Sequence, residues 1–200
     1  GGDGEVFVVA GQGRSNGMLM FDPDWLLETR HRDDFSRGLD EWCVFKSIGP
    51  ATGWWRDRIP GARLADHPDK PHADVLHVRR PDEHAGDGAI WNFPMGASGD
   101  LTLRLQLRDG FGGAVISLLD RFFDPQDETG EQQATFTMPI AADGQVSQQG
   151  KLTPGEWHTV RFEWDVPARS CSVSIDGTPR VWLKPSYRQT RGINYVRFRS

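Results

Sequence analysis

The sequence predicts an all-β protein, a sandwich of two antiparallel sheets, and three observations carry that prediction. Apolar residues recur with a period of two: Leu101, Leu103, Leu105 and Leu107 alternate with Thr102, Arg104, Gln106 and Arg108, and Val160, Phe162 and Trp164 alternate with Arg161 and Glu163. Cys171, Val173 and Ile175 alternate with Ser172 and Ser174 in the same way, so each strand offers one apolar and one polar face. Turn formers are abundant, 23 Gly and 13 Pro among 200 residues, and 8 Trp with 11 Phe favour strands over helices. Helix is expected only as one or two short turns, since no segment sustains a 3.6-residue period for ten residues.

Residues 1–32 read as a unit of their own. Glu5 to Ala10 and Met18 to Phe21 form two strands, with Asn16-Gly17 supplying the positive φ angles of a hairpin turn. Asp22-Pro23 then offers a capping side chain and a proline at the first helical position, which places the best helical turn at 23–28. Residues 33–200 read as the sandwich, with further strands near 41–47, 75–79, 88–93, 113–121, 133–140 and 193–199. Breakers at Gly49-Pro50, Asp109-Gly110, Asp143-Gly144, Pro154-Gly155 and Asp176-Gly177 separate the strands. No repeat of fixed period runs through 34–200, which excludes a complete propeller or solenoid.

Composition removes several function classes. Twenty-three Lys plus Arg against 28 Asp plus Glu give a net charge of -5, the wrong sign for a protein that neutralises phosphates, so no nucleic-acid partner is expected. No run of about 18 apolar residues is present to insert into a membrane as a helix. The opening residues hold no charged-then-apolar leader. Cys43 and Cys171 are too few for a disulfide framework and lack CxxC spacing, so pairing and free thiols both stay open. The six histidines show no compact ligand spacing, which argues against zinc.

The motifs are read by the chemistry they could perform. Gly11-Gln12-Gly13-Arg14-Ser15-Asn16-Gly17 has its third glycine one residue late for dinucleotide binding and no crossover helix after it, so it is a hairpin tip. The same stretch looks like the nucleophile block of sialate O-acetylesterases, but Gly13 and Arg14 interrupt it. Asp74 and His77 would have to serve as partners, yet residues three apart on a strand project to opposite faces. A Ser-His-Asp hydrolase is rejected.

The densest acidic cluster, Asp120, Asp124, Asp127, Glu128 and Glu131, begins at a strand end and enters a loop. Asp124, Asp127 and Glu128 are the calcium candidates, weighed against an ordinary solvated loop. Asp33, Asp34 and Asp40 form a weaker second cluster. Trp54-Trp55-Arg56-Asp57-Arg58 is the most unusual pentapeptide: one tryptophan can enter the core while the other is presented outward beside Arg56 and Arg58. An apolar ring with charged donors is what sugar recognition uses, and the alternative is a strand-end tryptophan covering the core edge. Trp91 and the Asp120-Arg121 strand end are similar mixtures. Arg104, Arg108, Arg161 and Arg197 occupy the polar parity of their strands and are expected in solvent.

Asp33-Asp34-Phe35-Ser36-Arg37-Gly38-Leu39-Asp40-Glu41-Trp42 resembles the opening of concanavalin A-like lectin/glucanase domains. The order Gly155-Glu156-Trp157-His158, then Val173-Ser174-Ile175-Asp176-Gly177, then Gly192-Ile193-Asn194-Tyr195 is similar to laminin G-like sandwiches. The resemblance implies a jelly-roll sandwich, a superfold that hosts lectins, hydrolases, lyases and adhesive modules. Glu-x-Asp-x-x-Glu, the mark of sandwich-fold glucanases, does not occur in the chain. The front hairpin resembles the closing strands of sialidase-type β-propellers, which implies a larger exported parent, extracellular or periplasmic, with a neighbouring propeller or catalytic domain.

The leading expectation is a non-catalytic carbohydrate-binding or accessory domain whose site comprises Trp54, Trp55, Arg56, Arg58, Trp91, Asp120 and Arg121. A glycoside hydrolase or polysaccharide lyase using Asp120 or Asp124, and a module that only packs against a propeller, are the alternatives.

Overall fold

A computed structural model describes residues 6–12, 15–21, 30–48, 57–79, 87–127, 129–148, 150–186 and 190–200. The architecture is the expected all-β sandwich. Its larger sheet contains β3 (Trp42–Cys43), β8 (Gly88–Gly96), β10 (Ala114–Leu119), β11 (Phe136–Ile140) and β15 (Ile193–Arg199), in the order β11-β10-β15-β8-β3. The smaller sheet contains β9 (Ser98–Gln106), β12 (Trp157–Asp165), β13 (Ser170–Ile175) and β14 (Thr178–Leu183), in the order β14-β13-β12-β9. Every strand pairing is antiparallel. Among the described residues three hairpins accompany the sandwich: β1 (Val6–Gln12) with β2 (Ser15–Phe21), β4 (Phe45–Ile48) with β5 (Asp57–Pro60), and β6 (Arg63–Asp66) with β7 (Asp74–His77).

The period of two sets the core. Along β12, His158, Val160, Phe162 and Trp164 are buried while Thr159, Arg161, Glu163 and Asp165 are exposed. Cys171, Val173 and Ile175 of β13 join them, facing Trp91, Phe93, Ile116, Leu118, Phe136, Met138 and Val196 of the larger sheet. The strap from His31 to Glu41 closes one flank through a stack of rings, His31 on Trp91 at 5.3 Å and Trp42 on Trp91 at 5.8 Å. Glu41 accepts hydrogen bonds from His31 (2.8 Å) and from the Trp91 indole (3.3 Å). Burial pushes the Glu41 pKa up, but these bonds and the nearby Arg37 outweigh it and hold the carboxyl below its usual range.

Several details depart from the sequence reading. The first hairpin turns three residues earlier than expected: Gln12 pairs with Ser15, so Asn16 and Gly17 lie inside β2 opposite Gly11 and Ala10. The helical turn expected at 23–28 lies outside the described residues, and the described helix, α1, is Thr129–Gln132. Strands β5, β6 and β14 were not anticipated, being short or, in β14, carrying Pro179 and Arg180 where alternation breaks at a bulge. Both cysteines are free thiols. Burial pushes the Cys171 thiol up to about 12.

Arg197 is the main correction. It was expected in solvent, yet only 1% of it is exposed. Its parity is as read, since it points away from the sandwich core, but the 120–134 segment folds over that outer face of the larger sheet. Phe123 and Ala134 pack there on Ile90, Leu119 and Tyr195.

Candidate functional site

The outer face of the larger sheet is built from cross-strand rows. Leu119, Tyr195 and Asn92 form one row, and Thr137, Ser117, Arg197, Ile90 and Cys43 form the next. The 120–134 segment leaves β10 at Asp120 and is fixed over the second row by Arg197. The guanidinium donates from Nε to the Asp124 carbonyl at 3.1 Å and from Nη2 to the Asp127 carbonyl, with Glu131 3.7 Å from Nη1. Glu131 also accepts from Arg199. Gly130 permits this closeness, because a Cβ there would sit 3.3 Å from the guanidinium carbon and from Phe123 Cβ.

That arrangement engages two of the calcium candidates. The carbonyls of Asp124 and Asp127 already face a cation, the guanidinium itself. The carboxylates brace the loop: Asp124 accepts from the Gln126 N–H (2.9 Å), and Asp127 accepts from the N–H and hydroxyl of Thr129 (2.8 Å each). The bonds from Thr129 hold Asp127 below the usual carboxylate range. Glu128 lies outside the described residues, and among the described residues no three His, Cys, Asp or Glu side chains gather as a metal centre requires. Asp33 and Asp34 of the second cluster are turn acceptors for the Phe35 and Ser36 N–H groups at 2.8 and 3.1 Å.

At the end of the first row the segment presents a mixed aromatic and charged surface. Asp120, whose side chain is only 9% exposed, accepts two bonds from the half-exposed Arg121, 2.8 Å from Nε and 3.0 Å from Nη2. Burial raises the Asp120 pKa, but the bonds from Arg121 and Thr190 prevail and keep the carboxyl below its ordinary value. Phe122, the next residue, is 52% exposed, and its ring meets Tyr195 edge-on at 6.4 Å. Asn92 follows Tyr195 in the row and donates to the Asn194 carbonyl at 2.9 Å. Beyond Asn92, Phe93-Pro94-Met95 bulge out of register with β15, leaving Met95 exposed at this end of the sheet.

Of the residues singled out from the sequence, Asp120 and Arg121 meet at this surface. Trp91 does not: it is buried between His31 and Trp42, committed to the core. Arg58 lies on β5 opposite Ser47 of β4, and Trp54, Trp55 and Arg56 lie outside the described residues. Phe122 and Tyr195 were missed. The available signal was the Phe122-Phe123 pair directly after Asp120-Arg121, one ring of which must turn outward if the other caps the sheet. A groove of about 550 Å³ at the opposite end of β10, along Val115, Pro139, Gln145 and Arg199, offers no aromatic platform.

No family model matches the chain, and no curated protein matches it in sequence. Among solved structures it is similar to part of a sialidase, with a TM-score of 0.57 and 15% identity over 84% of this chain and 14% of that one. It is also similar to a glycoside hydrolase family 16 endo-glucanase from Bacteroides ovatus, with a TM-score of 0.51 and 14% identity over 84% of each chain. Both likenesses concern the fold. The chain thus spans 14% of the length of the sialidase it matches.

Proposed function

We propose that this chain is a non-catalytic carbohydrate-binding domain, an accessory module of a larger glycan-processing protein. The observation that carries the reading is the half-exposed Phe122 ring, held edge-on by Tyr195 beside the Asp120–Arg121 pair. A pyranose presents an apolar face to such a ring, and its hydroxyls find an ionised carboxylate and a guanidinium alongside. The larger parent is supported by the sialidase, in which a sandwich of this fold is a minor part of a longer chain. On this reading residues 1–32 belong to a neighbouring propeller blade, residues 33–200 are the binding domain, and the parent works outside the cytoplasm. Trp54, Trp55, Arg56 and Arg58 are retained as contributors.

A hydrolase needs a carboxyl with a raised pKa to protonate the leaving oxygen. Asp120 is held low instead, and Arg121 occupies both of its oxygens. These features favour binding over catalysis.

The test is titration calorimetry against neutral and anionic oligosaccharides, after a glycan array has selected them. Phe122→Ala is expected to weaken binding about tenfold or more with little change in melting temperature, because the ring is half in solvent. Arg121→Ala should weaken neutral glycans by removing a donor to their hydroxyls, since the charge of Arg121 is already compensated by Asp120. Turnover of any ligand, or wild-type affinity in Phe122→Ala, overturns the proposal.

A further inference from the structure

An open sheet leaves unpaired backbone donors and acceptors along its edge strands, and proteins blunt such edges with proline, bulges or brevity. The sandwich treats its four edges unequally. In the larger sheet β11 carries Pro139 and β3 is two residues long; in the smaller sheet β14 carries Pro179 and is bulged against β13. The remaining edge, β9, runs for nine residues with no proline and with an unbroken register on β12. Ser98, Gly99, Asp100, Thr102 and Arg104 are exposed along it. Leu101, Leu103 and Leu105 point to the core but are only half-buried, whereas Val160 and Phe162 beside them on β12 are fully buried.

The two ends of β9 fix which backbone groups face outward. The Ala97 carbonyl accepts from the Val166 N–H and the Leu107 carbonyl from the Gly155 N–H, both at 2.8 Å, so odd-numbered residues aim at the β12 side. Antiparallel pairing alternates, and Ser98, Asp100, Thr102, Arg104 and Gln106 therefore turn both N–H and C=O to the open side. Among the described residues no backbone bond meets them there. Their side chains stand on the outer face of the smaller sheet. Asp100 lies 3.5 Å from Arg161, and Arg104 lies 5.4 Å from the centroid of Trp157, the ring on which His67 of the β6–β7 hairpin tip stacks at 4.8 Å. The open edge thus reads negative, neutral, positive at Asp100, Thr102 and Arg104.

We propose that β9 pairs with β9 of a second copy, antiparallel about a two-fold axis through Thr102, joining the two smaller sheets into one. Even-numbered residues meet across the open edge, and charge selects among the registers this leaves. An axis at Asp100 or at Arg104 sets like charges directly opposite each other, and an axis at Leu101 or Leu103 sets each charge opposite a neutral residue. The axis at Thr102 sets Asp100 opposite Arg104 of the second copy and Arg104 opposite its Asp100. On the core side it lays Leu101 against Leu103 of the second copy, twice, covering apolar surface that each half-buried leucine leaves in solvent. An unrelated extended segment would satisfy the backbone but not this reciprocal pattern, which β9 meets with itself because its opposite charges stand symmetrically about Thr102. A single strand pair is smaller than the roughly 1,200–2,000 Å² of a stable interface, so a dissociation constant of about 1–100 μM is expected. The axis stands perpendicular to the sheet, so the outer faces of both larger sheets, with their Phe122 surfaces, look the same way. The inference rests on β9 alone and is independent of the Phe122 reading.

Sedimentation velocity on the whole chain tests the pairing, and the wild type is expected to pass from monomer to dimer between about 1 and 300 μM. Thr102→Pro removes an N–H that faces the open side and none that bonds β12, so it should weaken association about tenfold or more with a near-wild-type thermal melt. Asp100→Lys and Arg104→Glu each set like charges opposite each other in a homodimer, and each should be monomeric at about 100 μM. An equimolar mixture of these two variants should form a heterodimer, since each supplies the charge that the other's altered position needs. The double variant Asp100→Lys/Arg104→Glu should recover wild-type association. If Thr102→Pro unfolds, the charge variants carry the test, because a merely structural loss is not repaired by mixing. A wild type that stays monomeric to about 300 μM overturns the proposal, and so do dimers that persist in both single charge variants or a mixture of the two that stays monomeric.

Discussion

Replacing Arg197 by methionine removes the buried cation that, together with Arg199, fastens the 120–134 segment to the sheet. The methionine approximates the buried volume but donates nothing, so the carbonyls of Asp124 and Asp127 lose their donors and Glu131 loses one of its two arginines. Breaking one side of a buried charged network typically costs about 3–5 kcal/mol, because the groups left behind remain desolvated. Arg197 is 1% exposed, so solvent screening does not reduce that figure as it would at a surface pair. At about 2–4 °C per kcal/mol for a domain of this size, the melting temperature should fall by about 6–20 °C. Urea denaturation followed by tryptophan fluorescence measures the loss, and a double-mutant cycle with Glu131→Gln should give a coupling of about 1 kcal/mol or more. The segment also carries Phe122, so Arg197→Met should weaken glycan binding without altering any group on the binding surface. A loss below about 1 kcal/mol would refute the reasoning, since it would mean that Phe123, Ala134 and the Arg199–Glu131 pair hold the segment without it.

Cys171 and Asp176 supply two further expectations. The folded-state pKa of Cys171 lies at about 12, above its ordinary value, so the unfolded chain releases the proton first as pH rises. Stability should therefore be intact below about pH 8.5 and decline by up to about 1.4 kcal/mol per pH unit above it, and Cys171→Ala should flatten that slope in urea titrations across pH 8–11. Asp176 accepts from His158 Nδ1 (2.7 Å) and from the Thr159 N–H (2.8 Å) at a positive φ of 51°, while His158 Nε2 accepts from the Thr153 N–H (2.8 Å). Asparagine preserves one of the two acceptor oxygens and the left-handed preference, whereas alanine preserves neither, so thermal melts should show Asp176→Asn costing about 1 kcal/mol and Asp176→Ala about 2 kcal/mol or more. The bonds from His158 and Thr159 hold the Asp176 carboxyl below its usual pKa, so its contribution is present at neutral pH and disappears as pH falls through that lowered value.

The alternation along β9, β12 and β13 was legible in the sequence because a strand has a fixed two-residue repeat and one face must leave water. Leu101 to Leu107, Val160 to Trp164 and Cys171 to Ile175 declare their buried side without help from distant residues. Asp120 and Arg121 were legible as a strand-end pair for the same local reason. What covers the outward faces was not legible, because that depends on loops returning from far along the chain. Arg197 and Trp182 both have the outward parity of their strands, yet one is sealed beneath residues 120–134 and the other stands in solvent. Trp157 and Trp182 share one face and differ only in whether a hairpin formed by residues 63–77 reaches over them. Trp91, read as a surface ring, is held inside by His31 and Trp42, partners 60 and 49 positions away. Parity is a property of the local backbone and is written in neighbouring residues; cover is a property of the closed chain, and only the tertiary structure decides it.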